Sequence, residues 1–107
     1  MADHSSPLYK VVYSEYQIRM IRELGETAAD RGLGDAYVEA VKFIHNRMST
    51  DPLVWGDPQN WLRHLRLTLY HGTYDPLHVF YAVDEQRRIV YVREIKPLPG
   101  RGLDDDP

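Results

Sequence analysis

Arg66, His78, Tyr91 and Arg93 are the residues of this chain whose types and spacing suit phosphate chemistry. A guanidinium holds a phosphate by paired hydrogen bonds and stabilises the charge that develops on it, and an imidazole moves a proton near neutral pH. With a phenol beside them, such residues can assist attack of an RNA 2′-hydroxyl on the adjacent phosphate. All four lie in Leu65–Ile95, LRLTLYHGTYDPLHVFYAVDEQRRIVYVREI, where each interrupts an apolar pattern, as Thr68 does. Arginine and tyrosine also populate the wet face of any sheet, and a lone strand histidine also serves as a packing residue. The residues alone leave both readings open.

The elements that must position them follow from periodicity. Successive strand residues alternate between faces. Strands are expected near 63–70, 77–83 and 89–95, joined by the short connections YHGTYDP and DEQRR, which suit antiparallel hairpins. In the first of these strands Leu65, Leu67 and Leu69 are expected to face the core, turning Arg66, Thr68 and Tyr70 outward. In the next, Leu77, Val79, Tyr81 and Val83 form the core set and His78, Phe80 and Ala82 the other. Val90 and Val92 alternate with Tyr91 and Arg93. These registers place Arg66, His78, Tyr91 and Arg93 on one open face.

Ahead of the sheet, Leu8–Tyr13 (LYKVVY) reads as an opening strand. Ser14 stands three residues before Gln17, the capping-box spacing, and starts a helix with Met20, Ile21, Leu24 and Ala28 on one stripe. Gly25 costs that helix roughly 1 kcal/mol relative to alanine, and Gly32 and Gly34 end it. Asp35 is the expected cap of a second helix, with Tyr37, Ala40, Val41, Ile44 and Met48 on its core side. The short link implies an antiparallel hairpin. STDPLVWGDPQN, residues 49–60, has turn chemistry throughout. The expected fold is therefore α+β, in the order β-α-α-β-β-β, with a small, mostly antiparallel sheet covered on one face by the helix hairpin. Residues 1–7 are expected to be disordered, 8–97 to form a single domain, and 98–107 to be a flexible acidic tail.

A chain of 107 residues has room for one core. Its 43% apolar content is that of a folded protein, and the absence of cysteine excludes disulfides, thiolate chemistry and cysteine zinc sites. The polar start MADHSSPLYK and the lack of a long apolar run lead us to expect a cytoplasmic protein with no membrane partner. The net charge of −3 argues against non-specific nucleic-acid binding, which relies on neutralising phosphates. The charge is uneven. Residues 1–62 hold six basic and nine acidic side chains, and residues 63–101 hold seven basic and four acidic ones. The strand-rich half is therefore locally basic and compatible with an anionic partner.

His64, His71 and His78 recur at intervals of seven, but across strand, loop and strand that spacing does not place them on one face. No metal and no cofactor is expected. His45, beside a helix core stripe, reads as packing or solvated. Trp55 and Trp61 flank WGDPQNW; such aromatics can stack on bases, but edge-of-core packing is the reading preferred here. There is no Gly-rich phosphate loop, nucleophile elbow or dinucleotide fingerprint.

The order of these segments resembles the RelE/ParE superfamily of bacterial type II toxins. The residues that carry the resemblance are LYKVVYSEY, the two helices, the loop DPLVWGDP, and the strands LRLTL, HVFYAVDE and IVYVREI. It covers residues 8–96. In RelE-like members, basic residues on the sheet assist ribosome-dependent cleavage of mRNA. By position, the resemblance carries the first of these onto Arg66 and the next onto Thr68. The third-strand arginine falls on His78, and a later basic group falls near Lys96. The family's late aromatic has no equivalent in PLPGRGLDDDP. The strand pattern and the resemblance together give His78, Arg66, Arg93 and Tyr91 as the expected catalytic residues, with Arg63, Lys96 and Thr68 holding substrate. It leaves three readings. One is a metal-independent endoribonuclease that meets mRNA at the ribosome. Another is a ParE-like inhibitor of DNA gyrase that cleaves nothing. The last is an inert interaction module on the same fold. A small antitoxin protein is the partner implied by the first two.

Overall fold

Ser14 Oγ accepts the backbone N–H of Gln17 at 3.1 Å, and this cap starts α1 (Glu15–Asp30) in the computed structural model, which describes residues 8–104 of the chain. The expected disorder of residues 1–7 lies outside the described residues, as do positions 105–107 of the expected tail. A three-residue β1 (Lys10–Val12) precedes α1, and α2 (Gly34–Thr50) follows it. Asp35 is not the cap of α2. That position falls to Leu33, which has no side-chain hydrogen bond to give, and Asp35 lies inside the first turn.

Tyr37, Ala40, Ile44 and Met48 of α2 are buried, as the apolar stripe requires, and Val41 is half-buried. The hairpin is close. A Cβ on Gly25 of α1 would lie 3.2 Å from the Tyr37 ring, whose hydroxyl donates to the Ile21 carbonyl. The helix-propensity cost of Gly25 therefore permits the approach of the two helices.

The segment 49–60, expected to be loop, contributes two elements. A one-turn helix, α3 (Pro52–Trp55), opens on a proline at its first position. β2 (Asp57–Leu62) then forms an edge strand whose residues are exposed, apart from the half-buried Leu62. A 3-10 turn at Arg63–Leu65 leads through Arg66 into β3 (Leu67–Tyr74), β4 (Leu77–Asp84) and β5 (Ile89–Pro97). The sheet runs β1-β5-β4-β3-β2, antiparallel except for the parallel β1–β5 pair. The fold is α+β with the hairpin on one face, as expected, and the order gains a helix and a strand.

The core lies between α2 and the sheet residues Tyr70, Leu77, Val79, Tyr81, Val83, Val90, Val92 and Ile95. Trp55 lies flat against Gly72, where an added Cβ would stand 2.4 Å from the indole. It stacks on Tyr81 (6.0 Å), which stacks on Tyr70 (5.4 Å) and donates its hydroxyl to the Pro52 carbonyl. Residues 98–104, expected as part of a flexible end, are tied to the body. Leu103 is 3% exposed, and Arg31 donates to the carbonyls of Gly102 and Asp104.

Candidate functional site

Strand β3 faces the opposite way from the sequence expectation. Tyr70 and Gly72 are buried, with Tyr74 packed against the core, while Leu69, His71 and Thr73 take the uncovered face. The cause is local. Arg66 is left-handed (φ 56°) and closes the 3-10 turn, its N–H bonded to the Arg63 carbonyl, so the alternation begins only at Leu67. The packing of Trp55 on Gly72 then fixes which parity points inward. Thr68 pairs with Val83, a core residue, and directly opposite residues share a face. Arg66 and Thr68 therefore leave the expected group. They line a 220 Å³ groove with Trp61, Val83, Glu85 and Gln86. Along the ladder, Thr68 and His78 are separated by five residue steps, roughly 17 Å at strand rise. Arg63, in the preceding turn, lies at the same far end.

His78, Tyr91, Arg93 and Lys96 share the uncovered face, with Lys96 directly beside His78 and Tyr91 four ladder steps from it. His78 pairs with Lys96 and Phe80 with Glu94, while Ala82 pairs with Tyr91. Arg93 has no partner in this register, because Tyr81 pairs with Val92; it is the extra residue of a β-bulge. The bulge turns Arg93 and Glu94 into one 280 Å³ groove with Gln59, Leu69 and Phe80. Among the described residues the Arg93 guanidinium makes no ion pair, and the Lys96 ammonium lies 3.5 Å from the Glu94 carboxylate at an exposed site. An exposed pair of that kind is worth at most about 1 kcal/mol, so a phosphate can displace it.

Gln17 fixes the bulge. Its amide nitrogen donates to the Arg93 carbonyl at 2.8 Å, and its oxygen accepts the Ile95 N–H at 3.3 Å. β1 ends at Val12, opposite Tyr91, so the next stretch of β5 has no strand beside it. The buried Gln17 side chain takes that place, rather than folding back onto the helix cap as the capping-box spacing suggested.

The sequence reading missed His71. Strand β3 continues through Tyr74, and β4 begins at Leu77 after only Asp75 and Pro76, which are joined by a cis peptide bond. The expected loop YHGTYDP is mostly strand. This brings His71 and His78 to the same face, contrary to the expectation from their seven-residue spacing. Nε2 of His71 lies 2.9 Å from Nδ1 of His78, and the rings are nearly perpendicular. The His71 ring stacks on Phe80 at 4.5 Å. Burial is the main cause of a lowered His78 pKa, followed by His71 and Lys96, with Glu94 opposing. Among the described residues, no group of three or more His, Asp or Glu side chains is arranged to hold a metal. Two signals for the missed contact stood in the sequence. Asp-Pro is a turn dipeptide, and a strand glycine between tyrosines marks a close approach of another group.

The two tryptophans divide. Trp55 packs at the edge of the core, and Trp61 is 53% exposed on β2. His45 lies on the helix side, where its Nδ1 is 2.6 Å from the Tyr13 hydroxyl. Burial pushes the Tyr13 phenol up to about 12.

No family model matches this chain, and no curated protein does. Among solved structures, a chain of the archaeal RelE–RelB complex from Pyrococcus horikoshii OT3 superposes with a TM-score of 0.61. The match covers 87% of this chain and 98% of that one, at 14% identity. The fold is RelE-like. On this RelE-like frame, the uncovered sheet face carries the histidine pair and the bulge, and the hairpin occupies the other side. No helix among the described residues is long and apolar enough to cross a membrane.

Proposed function

We propose that the protein is the toxin-like component of a cytoplasmic type II toxin–antitoxin system and cleaves translated mRNA without a metal ion. The observation that carries this reading is the His71–His78 contact, set between the Arg93 bulge and Lys96 on an uncovered sheet face. His78 takes the proton of a 2′-hydroxyl, and the oxygen forms a bond to the adjacent phosphorus. The bond from phosphorus to the 5′-oxygen breaks, and that oxygen gains a proton from solvent. Arg93 and Lys96 hold the phosphate oxygens and offset the charge that builds on them. Phe80 and Leu69 offer an apolar floor for a base.

A small antitoxin is the proposed partner, by analogy with the complex to which the fold is similar. A 610 Å³ groove between α1 and α2, lined by Ile18, Ile21, Val41 and Lys42, gives such a partner apolar surface away from the sheet face.

Inducible expression in a bacterium tests the proposal. The expected result is growth arrest, relieved by the product of an adjacent small reading frame, with new 5′ ends in translated mRNA on primer extension. Arrest with a DNA-damage response and intact mRNA would transfer the reading to gyrase inhibition, and unaffected growth would leave an interaction module.

A further inference from the structure

Four side chains form a row across the uncovered face, one from each of four neighbouring strands. Asp57 of β2 pairs with His71 of β3; His71 contacts His78 of β4 at 2.9 Å; His78 pairs with Lys96 of β5. The row is ordered from anion to cation. Glu94 and the bulged Arg93 lie beside its cationic end, and Thr73, opposite His78, carries no charge.

One proton occupies the 2.9 Å gap between the two rings. Either His71 donates from Nε2 or His78 donates from Nδ1. The charges at the ends choose between these. With Nε2 of His71 turned to His78, Nδ1 is the nitrogen left over, and the anionic Asp57 across the ladder favours a proton there, leaving Nε2 as the acceptor. Lys96 disfavours a proton on the side of His78 nearest it. Both effects act in the same direction, against the weaker opposing pull of Glu94 on His78. We infer that His71 is a positioning residue, which accepts the Nδ1 proton of His78 and leaves Nε2 of His78 bare to receive a proton at the open face. The arrangement follows the logic by which a buried carboxylate fixes the tautomer of a histidine base, with a neutral imidazole in the carboxylate's place. A proton taken up at Nε2 of His78 leaves the contact between its Nδ1–H and His71 in place.

The role of His78 as a base rests on the proposed RNA cleavage, whereas the tautomer is read without substrate. The test is nitrogen-15 NMR of the imidazoles in the full-length wild type, His71→Phe and His71→Asn, at a pH where both rings are neutral. Phenylalanine keeps the stack on Phe80 but cannot accept a proton; asparagine can. The expected result is Nδ1–H with bare Nε2 at His78 in wild type, a change to predominantly Nε2–H in His71→Phe, and recovery of Nδ1–H in His71→Asn. In cleavage, kcat falls at least roughly tenfold in His71→Phe with KM unchanged, and recovers in His71→Asn. His78 carrying Nε2–H in the wild type, or an unchanged tautomer in His71→Phe, overturns the inference. RNA left intact by a wild type that shows the expected tautomer overturns the cleavage reading, while the tautomer result still upholds the positioning role.

Discussion

Gln17 bridges the bulge of β5, donating to the Arg93 carbonyl at 2.8 Å and accepting the N–H of Ile95 at 3.3 Å. A helix residue thereby completes the hydrogen bonding of a strand and holds the backbone that presents Arg93. Replacing Gln17 with Leu preserves bulk but leaves two backbone groups without partners. It should destabilise the fold by about 1–3 kcal/mol. Urea denaturation checks this through a lower midpoint at unchanged slope. Gln17→Glu should be no milder, since it keeps the acceptor for Ile95 but sets a buried carboxylate against the Arg93 carbonyl.

Gly72 is the point at which β3 admits the Trp55 ring, with no room for a methyl at 2.4 Å. Gly72→Ala should displace the indole from the Tyr81 stack and cost about 1–3 kcal/mol, in the range of core overpacking. Thermal melts and the wavelength of tryptophan emission report the two effects separately.

The inward parity of β3 was not legible in the sequence for the same reason. LRLTL alternates cleanly, so leucine was the natural core residue, yet the packed face is Tyr70–Gly72–Tyr74. Alternation gives the period of a strand but not its phase, and the phase here depends on a contact from α3, in a segment that reads as turn. Where no such long-range contact intervenes, as with Leu77–Val83 and the stripe of α2, periodicity located the core residues. Of the candidate site, His78, Tyr91 and Arg93 were legible as a face, and Lys96 only through the resemblance. The bulge and the partnership with His71 were not, because both depend on register.

The separation of Arg66 from Arg93, which the sequence expectation put on one face, is directly testable. Arg66 lies in the 220 Å³ groove near Thr68, five ladder steps from His78, whereas Arg93 lines the 280 Å³ groove beside Phe80. Arg93→Ala should lower RNA cleavage by roughly 10²-fold or more, as loss of a charge-stabilising donor does. Arg66→Ala should leave it within about twofold. The reverse order of effects would place the site at the other end of the sheet.

His78 also predicts a pH dependence of stability. Burial, with His71 and Lys96, holds its pKa below the ordinary value of about 6.5. The unfolded chain therefore takes up this proton first as pH falls. The contribution is fully present above about pH 6.5 and is lost as pH falls through the folded value. The stability difference between wild type and His78→Phe, measured by urea denaturation from pH 8 to pH 5, should shift against the wild type on the acid side. A difference that stays level would show that the folded and unfolded chains bind this proton alike.

The proposed cleavage of RNA at the sheet face runs through His78. Its most direct measurement is the chemistry and yield of RNA ends after induction of wild type and an equally folded His78→Ala. We predict upstream fragments ending in a 2′,3′-cyclic phosphate in the wild type, reduced by roughly 10²- to 10⁴-fold in the variant. Intact mRNA with the wild type, or the same yield of ends from His78→Ala, would contradict it.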